Sequence, residues 1–183
     1  FMTKLTDFQR KISAFLPEIE IRYNEPMAKH TSFRIGGGAE IMAFPKTPAE
    51  LAEILKISAL LDCKCAILGA GTNVLAPDEG VRGLVICLKD RLSGMEQLGD
   101  NRIRVMAGVT MTRAAVFAAG LSLSGLEFAH GIPGSVGGGV YMNAGAYGGE
   151  LCQICESVDV MTMDGIPEHY TCRQMEFGYR HSI

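Results

Sequence analysis

The chain lacks an excess of positive charge: 17 lysines and arginines stand against 20 aspartates and glutamates, which leaves a net charge of −3. This balance excludes the basic surface with which proteins bind nucleic acid or an anionic membrane. No apolar run approaches the roughly 20 residues of a membrane-spanning helix. The first residues also lack the apolar core of a signal peptide. We therefore expect no membrane insertion and a cytoplasmic location.

The chain also lacks a cysteine pattern typical of a metal site. Its six cysteines are scattered, and only Cys152 and Cys155 form a CxxC pair. Neither a second pair nor two nearby histidines complete a zinc site. Scattered thiols are typical of reduced, structural cysteines in a reducing compartment. We expect no metal, and a redox or metal protein built on the CxxC pair is a distant alternative.

The first half of the chain alternates helix and strand patterns, whereas the second half is rich in hairpin signals. Predicted helices cover about residues 1–20, 47–61 and 110–119, predicted strands cover 39–45, 66–68 and 84–88, and a polar connector covers 24–32. Hairpins are predicted around residues 99–101 and 164–165. The pattern predicts an α+β protein of two subdomains around a shared ligand.

Two glycine-rich segments, 69–73 and 131–148, carry most of the functional information. Glycine weakens helix and sheet, but it lets main-chain N–H groups approach a flat or phosphorylated ligand. Segment 69–73 does not continue as a GxGxxG fingerprint, because Val74 stands where the third glycine belongs. Close backbone packing accounts for 137–139 but not for 143–147. Together the segments predict a cofactor with a diphosphate and a ring system.

Five blocks of sequence resemble the successive signatures of the UDP-N-acetylenolpyruvoylglucosamine reductase (UDP-N-acetylmuramate dehydrogenase) family. The blocks are Thr31–Gly37, Leu68–Asn73, Gly125–Phe128 with Gly131–Gly138, Met142–Gly148 and Phe177–Arg180. The resemblance implies an FAD-binding fold of the p-cresol methylhydroxylase/vanillyl-alcohol oxidase type, with the cofactor between two α/β subdomains. We expect an N-terminal helix at 1–23, a first FAD-binding subdomain at 24–90 and a second, incomplete one at 91–183. A C-terminal substrate-binding domain is expected to be absent.

The same resemblance implies FAD as cofactor, NADPH as hydride donor and UDP-N-acetylglucosamine enolpyruvate as the small-molecule substrate of peptidoglycan precursor synthesis. The residues implied to bind FAD are Gly69, Ala70, Gly71, Thr72, Asn73, His130, Gly131, Ile132, Pro133, Gly134, Ser135, Gly138, Asn143, Gly145, Ala146 and Tyr147. Arg180 is the implied catalytic residue, because a guanidinium fork matches the two oxygens of a carboxylate. Arg180 and Tyr179 are the implied substrate-binding residues.

Several alternatives stay open at this point. Arg34 either contacts the cofactor or lies on the surface, and Tyr179 is expected to pack rather than to bind through its hydroxyl. A rival reading is another FAD oxidoreductase of the same fold, with flavin attached covalently through His130. A non-catalytic nucleotide-binding module is a further class. The family's proton-donor serine and a late glutamate lie outside these residues, so we expect a truncated portion that is inactive alone.

Overall fold

A four-stranded sheet with two helices on one face organises the first half of the chain. The computed structural model describes residues 2–183, with only the backbone of residues 2–5. The elements are α1 (Met2–Phe15), β1 (Glu20–Pro26), β2 (Gly38–Phe44), α2 (Pro48–Leu60), β3 (Cys65–Leu68) and β4 (Val81–Cys87). The strand order is β1-β2-β4-β3; β1 is antiparallel to β2, and the other two pairings are parallel.

Strand β2 lies inside the sheet and is buried on both faces. Ile41 and Ala43 face the core that α1 and α2 cover, whereas Met42 and Phe44 face a second core. A continuous apolar run suits a strand covered on both sides. The neighbouring strands β3 and β4 are parallel, so their carboxyl ends lie at one edge of the sheet, where ligands of α/β sheets usually bind.

The second half consists of small hairpins around two helices. Its elements are β5 (Met95–Gln97), β6 (Ile103–Val105), α3 (Met111–Gly120), α4 (Val136–Tyr141), β7 (Gly145–Ala146), β8 (Gly149–Glu150), β9 (Ser157–Met161) and β10 (Pro167–Thr171). Met111, Ala115, Ala129 and Leu151 form its core. No helix within residues 2–183 combines the length and the apolar character needed to cross a membrane.

Most predicted elements are confirmed, but two predictions are wrong. Helix α1 ends at Phe15, and strand β1 occupies residues 20–26, where the end of a helix and a polar connector were expected. The charged residues of β1 indicated a solvated connector and not a strand. In the structure Arg22 pairs with Glu20 and Glu25. Helix α4 lies in the glycine-rich segment 131–148, for which the sequence predicted ligand contact and left close packing of 137–139 as an alternative. Phe1, part of the predicted N-terminal helix, lies outside the described residues.

Helix α2 depends on its predicted N-terminal cap, and we expect Thr47→Ala to destabilise the protein. Thr47 Oγ1 accepts a hydrogen bond from the N–H of Glu50 at 3.1 Å. Loss of such a cap costs about 1 kcal/mol, which lowers Tm by about 2–4 °C in a chain of this size. Thermal unfolding followed by circular dichroism measures the change. Thr47→Ser keeps the acceptor and should unfold close to the wild-type temperature; an equal loss in both variants would contradict the cap.

Candidate functional site

The loop 69–73 contacts residues 133–135 just beyond the carboxyl end of β3. The hydroxyl of Thr72 donates a hydrogen bond to the carbonyl of Pro133 at 3.2 Å. A Cβ built on Gly69 would lie 2.4 Å from Oγ of Ser135, so the absence of a side chain at Gly69 leaves room for the Ser135 hydroxyl against the loop. The structure therefore brings together the two glycine-rich segments that the sequence predicted to share one ligand.

The loop 69–73 leaves its own main-chain donors free. Of the hydrogen bonds formed within residues 2–183, none uses the N–H groups of residues 70–73 as donors. This is unusual for a segment that includes the buried Gly71, since buried N–H groups are nearly always paired. Gly71 is left-handed, with φ +67°. Successive free N–H groups around a left-handed residue form an anion-binding nest, so the loop suits a phosphate or diphosphate.

The segment between β1 and β2 supports this loop from behind. The N–H of Ser32 donates to the carbonyl of Gly71 at 2.9 Å. A Cβ on Gly71 would lie 1.9 Å from the carbonyl oxygen of His30. The sequence-based site contained neither His30 nor Ser32. The sequence feature that could have indicated these residues was the block Thr31–Gly37, which is one of the five blocks that resemble the family.

A cavity of about 580 Å³ lies beside the loop, lined by residues 28–32, Arg34, Ala70 and Lys89. Lys29, Arg34 and Lys89 bring positive charge to it in a chain of net charge −3. Arg34, which the sequence left between a cofactor contact and the surface, lines this cavity. Lys89 follows the end of β4, beside the loop that follows β3, because Leu88 N donates to Leu68 O at 2.8 Å. The cationic lining favours an anionic ligand.

Helix α4 packs its glycines closely, as the close-packing alternative predicted for 137–139. Val136 N donates to Val109 O at 2.7 Å, and Gly137 N donates to Ala107 O at 2.9 Å. The buried Oγ of Ser135 accepts a hydrogen bond from Gly138 N at 3.4 Å. Ser135 therefore caps α4 and contacts the loop 69–73 at the same time.

The buried Asn143 holds the turn that carries Arg180. Its Nδ2 donates to Glu150 Oε2 at 2.8 Å and to the carbonyl of Gly178 at 3.2 Å, and its Oδ1 accepts from Cys152 N at 3.0 Å. Both amide hydrogens are thus engaged by the protein. The main-chain N–H of Asn143 is also engaged, because it donates to Val140 O at 3.1 Å. A cofactor contact of Asn143 stays a prediction.

Arg180 lies at the tip of a two-residue turn, Tyr179–Arg180, between the mutually hydrogen-bonded Gly178 and His181. Ser182 Oγ donates to the carbonyl of Tyr141 at 3.0 Å, which ties the far side of the turn to α4. Arg180 has φ +54°. Left-handed non-glycine residues cost energy and cluster at functional sites. The exposed guanidinium is therefore presented on a backbone fixed from two sides.

Two tyrosines of the predicted site project into solvent. Tyr147 is 98% exposed and Tyr179 is 96% exposed, so the expectation that Tyr179 packs is wrong. Their rings are free to lie against a ligand. Gly145 and Ala146 pair with β8 in a short ladder, and a Cβ at Gly131 would meet nothing within 4 Å.

His130 lies in different surroundings from the loop 69–73. His130 lines a cavity of about 560 Å³ together with apolar residues of α3 and of the following segment. Its carbonyl accepts a hydrogen bond from Thr112 Oγ1 at 2.7 Å. A cofactor contact through the His130 ring remains a prediction.

Two of the cysteines lie in environments that disfavour the thiolate. Burial raises the pKa of Cys65 to about 12 and that of Cys155 to about 11. Thiols that stay protonated react slowly. Within residues 2–183, no three histidine, cysteine or acidic side chains are grouped so as to hold a metal ion.

Comparison with known families agrees with the geometry of the loops. The family described as "FAD binding domain" matches residues 39–170, well over half of the chain. The chain belongs to this family of FAD-binding domains. A vanillyl-alcohol-oxidase-type flavoprotein from Myceliophthora thermophila shares the fold, with a TM-score of 0.58 over 73% of this chain and 26% of that one at 16% identity. The predicted fold class is confirmed.

The particular resemblance read from the sequence is confirmed as well. The UDP-N-acetylenolpyruvoylglucosamine reductase of Lactococcus lactis subsp. cremoris is 40% identical over 182 residues, which cover 100% of this chain and 58% of the relative. The crystal structure of the Thermus caldophilus reductase matches with a TM-score of 0.69 and 32% identity over 90% of this chain and 56% of that one. The chain thus spans a little more than half the length of these relatives.

Proposed function

We propose that this chain is the FAD-binding part of a reductase that uses NADPH to convert UDP-N-acetylglucosamine enolpyruvate into UDP-N-acetylmuramate in the cytoplasm. The FAD assignment is carried by one observation: the unpartnered N–H groups of residues 70–73 lie where this loop contacts residues 133–135. The substrate and the hydride donor follow from the 40% identity to the Lactococcus reductase along the whole chain.

The residues of the chain have separable tasks in this proposal. The N–H groups of residues 70–73 bind the FAD diphosphate, and Lys29, Arg34 and Lys89 offset its charge. Residues 131–135 line the cofactor further along. FAD, when bound, supplies hydride transfer from NADPH to the enolpyruvyl group. The exposed ring of Tyr147 would lie against the bound ligand.

Arg180 has the task of holding the carboxylate of the substrate. Its planar guanidinium offers two parallel N–H donors to the two carboxylate oxygens. Negative charge grows on that carboxylate as the neighbouring double bond is reduced, so a donor fixed in advance stabilises the transition state more than the ground state. The anchored turn of residues 178–182 supplies that fixed position, and Tyr179 stands next to it.

A titration with FAD tests the cofactor assignment. We expect the purified chain to bind one FAD per molecule, seen as quenched flavin fluorescence. FMN and riboflavin, which lack the diphosphate, should bind at least about tenfold more weakly, a difference of about 1.4 kcal/mol. Equal binding of riboflavin would contradict the role of the loop. Flavin that stays with the denatured chain would instead favour the covalent flavin oxidases of the same fold.

Addition of NADPH and of the enolpyruvyl substrate tests the remainder of the proposal. We expect no enolpyruvate-dependent oxidation of NADPH by these 183 residues alone, because the proton-donor serine implied by the family is not among them. Steady turnover would contradict that expectation. A chain with no flavin absorbance and no response to FAD would favour a non-catalytic nucleotide-binding module.

A further inference from the structure

Glu25 is a buried carboxylate that has no task in the proposed reaction. It is 8% exposed and lies at the end of β1. His30 Nε2 lies 2.9 Å from its Oε1, Arg22 Nη1 donates to the same oxygen at 3.1 Å, and Lys29 Nζ is 3.9 Å away. The hydrogen bond from His30, with smaller contributions from Arg22 and Lys29, holds the pKa of Glu25 below its usual value despite burial. Glu25 is therefore charged at neutral pH.

The ring of His30 is held on two sides. Glu25 binds its Nε2, and the ring packs against Phe44 of β2 with 5.8 Å between the ring centroids. Arg22 and Arg91 also lie against the Phe44 ring, at 4.6 Å and 5.1 Å from its centroid. The side chain of His30 is 14% exposed. The position of residue 30 is thus determined by the sheet.

The backbone of residue 30 contacts the candidate FAD loop, so the position of residue 30 determines the position of the loop. The carbonyl oxygen of His30 occupies the place where a Cβ of Gly71 would point, 1.9 Å away. Two residues further on, Ser32 N donates to Gly71 O at 2.9 Å. Gly71 is the left-handed centre of the four unpartnered N–H groups. A shift of segment 30–32 would therefore move the donors that the diphosphate needs.

We propose that Glu25 and His30 are positioning residues for the diphosphate loop: their hydrogen bond holds segment 30–32 against Gly71 and so keeps the N–H groups of 70–73 aligned before FAD arrives. The inference rests on the FAD site proposed above. Preorganisation of this kind raises affinity because less order has to be created on binding. Neither residue needs to touch the ligand for the effect.

Glu20 provides a matched control on the same strand. Its carboxylate pairs with Arg22 and Arg91 but has no contact with His30. We expect Glu25→Gln to raise the Kd for FAD by about tenfold, because a neutral amide accepts a weaker hydrogen bond from His30 than the carboxylate does and segment 30–32 is held less firmly. Glu20→Gln should change the Kd by less than about twofold. Flavin fluorescence gives both values, and thermal unfolding without FAD reports on the fold of each variant.

Substitutions of His30 distinguish positioning from general structural support. His30→Gln keeps an N–H donor near the place of Nε2, so its Kd for FAD should stay within about threefold of wild type. His30→Leu removes the donor altogether and should raise the Kd at least as much as Glu25→Gln does. Equal Kd values for His30→Gln and His30→Leu would overturn the proposal. It would also be overturned if Glu20→Gln and Glu25→Gln both raised the Kd in proportion to their loss of Tm. Absence of FAD binding by the unaltered chain would instead overturn the proposed function, and this inference with it.

Discussion

Gly71→Ala is expected to abolish FAD binding by this chain, with a rise in Kd of at least about 100-fold, or about 2.8 kcal/mol. The first cause is conformational: Gly71 has φ +67°, and a left-handed non-glycine residue costs about 1–3 kcal/mol. The second cause is steric, because the new methyl group would lie 1.9 Å from the carbonyl of His30. That neighbour is backbone, so the loop has to move away and its N–H groups lose their alignment.

Gly99→Ala is the control for backbone strain away from the loop. Gly99 has φ +111° but a Cβ there would meet nothing within 4 Å, and it lies in the turn between β5 and β6. This variant carries the backbone strain without the clash and far from the loop along the chain. We expect a lower Tm and a Kd for FAD close to that of the wild type. If both variants bind FAD as the unaltered chain does, residues 70–73 do not hold the diphosphate.

The contact between the two glycine-rich segments was predictable because glycine marks close contact in the sequence itself. The segments 69–73 and 131–148 have too few side chains to form a core of their own, so their glycines indicate a ligand or a near backbone. The structure shows both uses: Gly69 and Gly71 make room for neighbouring residues, whereas the N–H groups of 70–73 remain free. The sequence does not tell these uses apart.

Strand β1 escaped prediction because its charged residues pair with one another and with residues outside the strand. Arg91 pairs with Glu20 across 71 positions of the sequence, and Glu25 is buried only because His30 and Arg22 lie around it. Local patterning treats such residues as solvated. The Glu25–His30 pair was invisible for the same reason, although the block Thr31–Gly37 marked the neighbouring segment. The boundaries at residues 23 and 90 remain predictions.

Helix α4 escaped prediction because packing overrides the low helix propensity of glycine. Gly139 is buried, and a Cβ there would lie 2.9 Å from Sδ of Met111 in α3. Ser135 supplies the N-terminal cap. Three consecutive glycines are therefore compatible with a helix when neighbouring elements replace the missing side chains. The glycines lower the helix propensity of α4, but they allow its backbone to lie next to residue 107.

Gly137→Ala should therefore destabilise the protein and weaken FAD binding, although alanine is the better helix former. Its Cβ would lie 2.8 Å from Cβ and 3.2 Å from the carbonyl oxygen of Ala107. That carbonyl accepts the N–H of Gly137 itself, so it cannot retreat without loss of a hydrogen bond. Overpacking costs about 1–3 kcal/mol, which exceeds the gain of about 0.5–1 kcal/mol from replacing glycine in a helix.

Gly138→Ala is the matched variant one residue further along α4. Gly138 is exposed, and a Cβ there would lie 3.4 Å from Ser135 Oγ, an ordinary contact. Without FAD, this variant should unfold at or above the wild-type temperature, with a gain of up to about 1 kcal/mol in the free energy of unfolding. Gly137→Ala should unfold below the wild-type temperature. Displacement of α4 by Gly137→Ala also shifts Ser135, which contacts the loop at Gly69, so its Kd for FAD should rise. If Gly137→Ala proves as stable as Gly138→Ala, the backbone of α4 is not held against residue 107, and α4 does not fix the position of Ser135 opposite the loop 69–73.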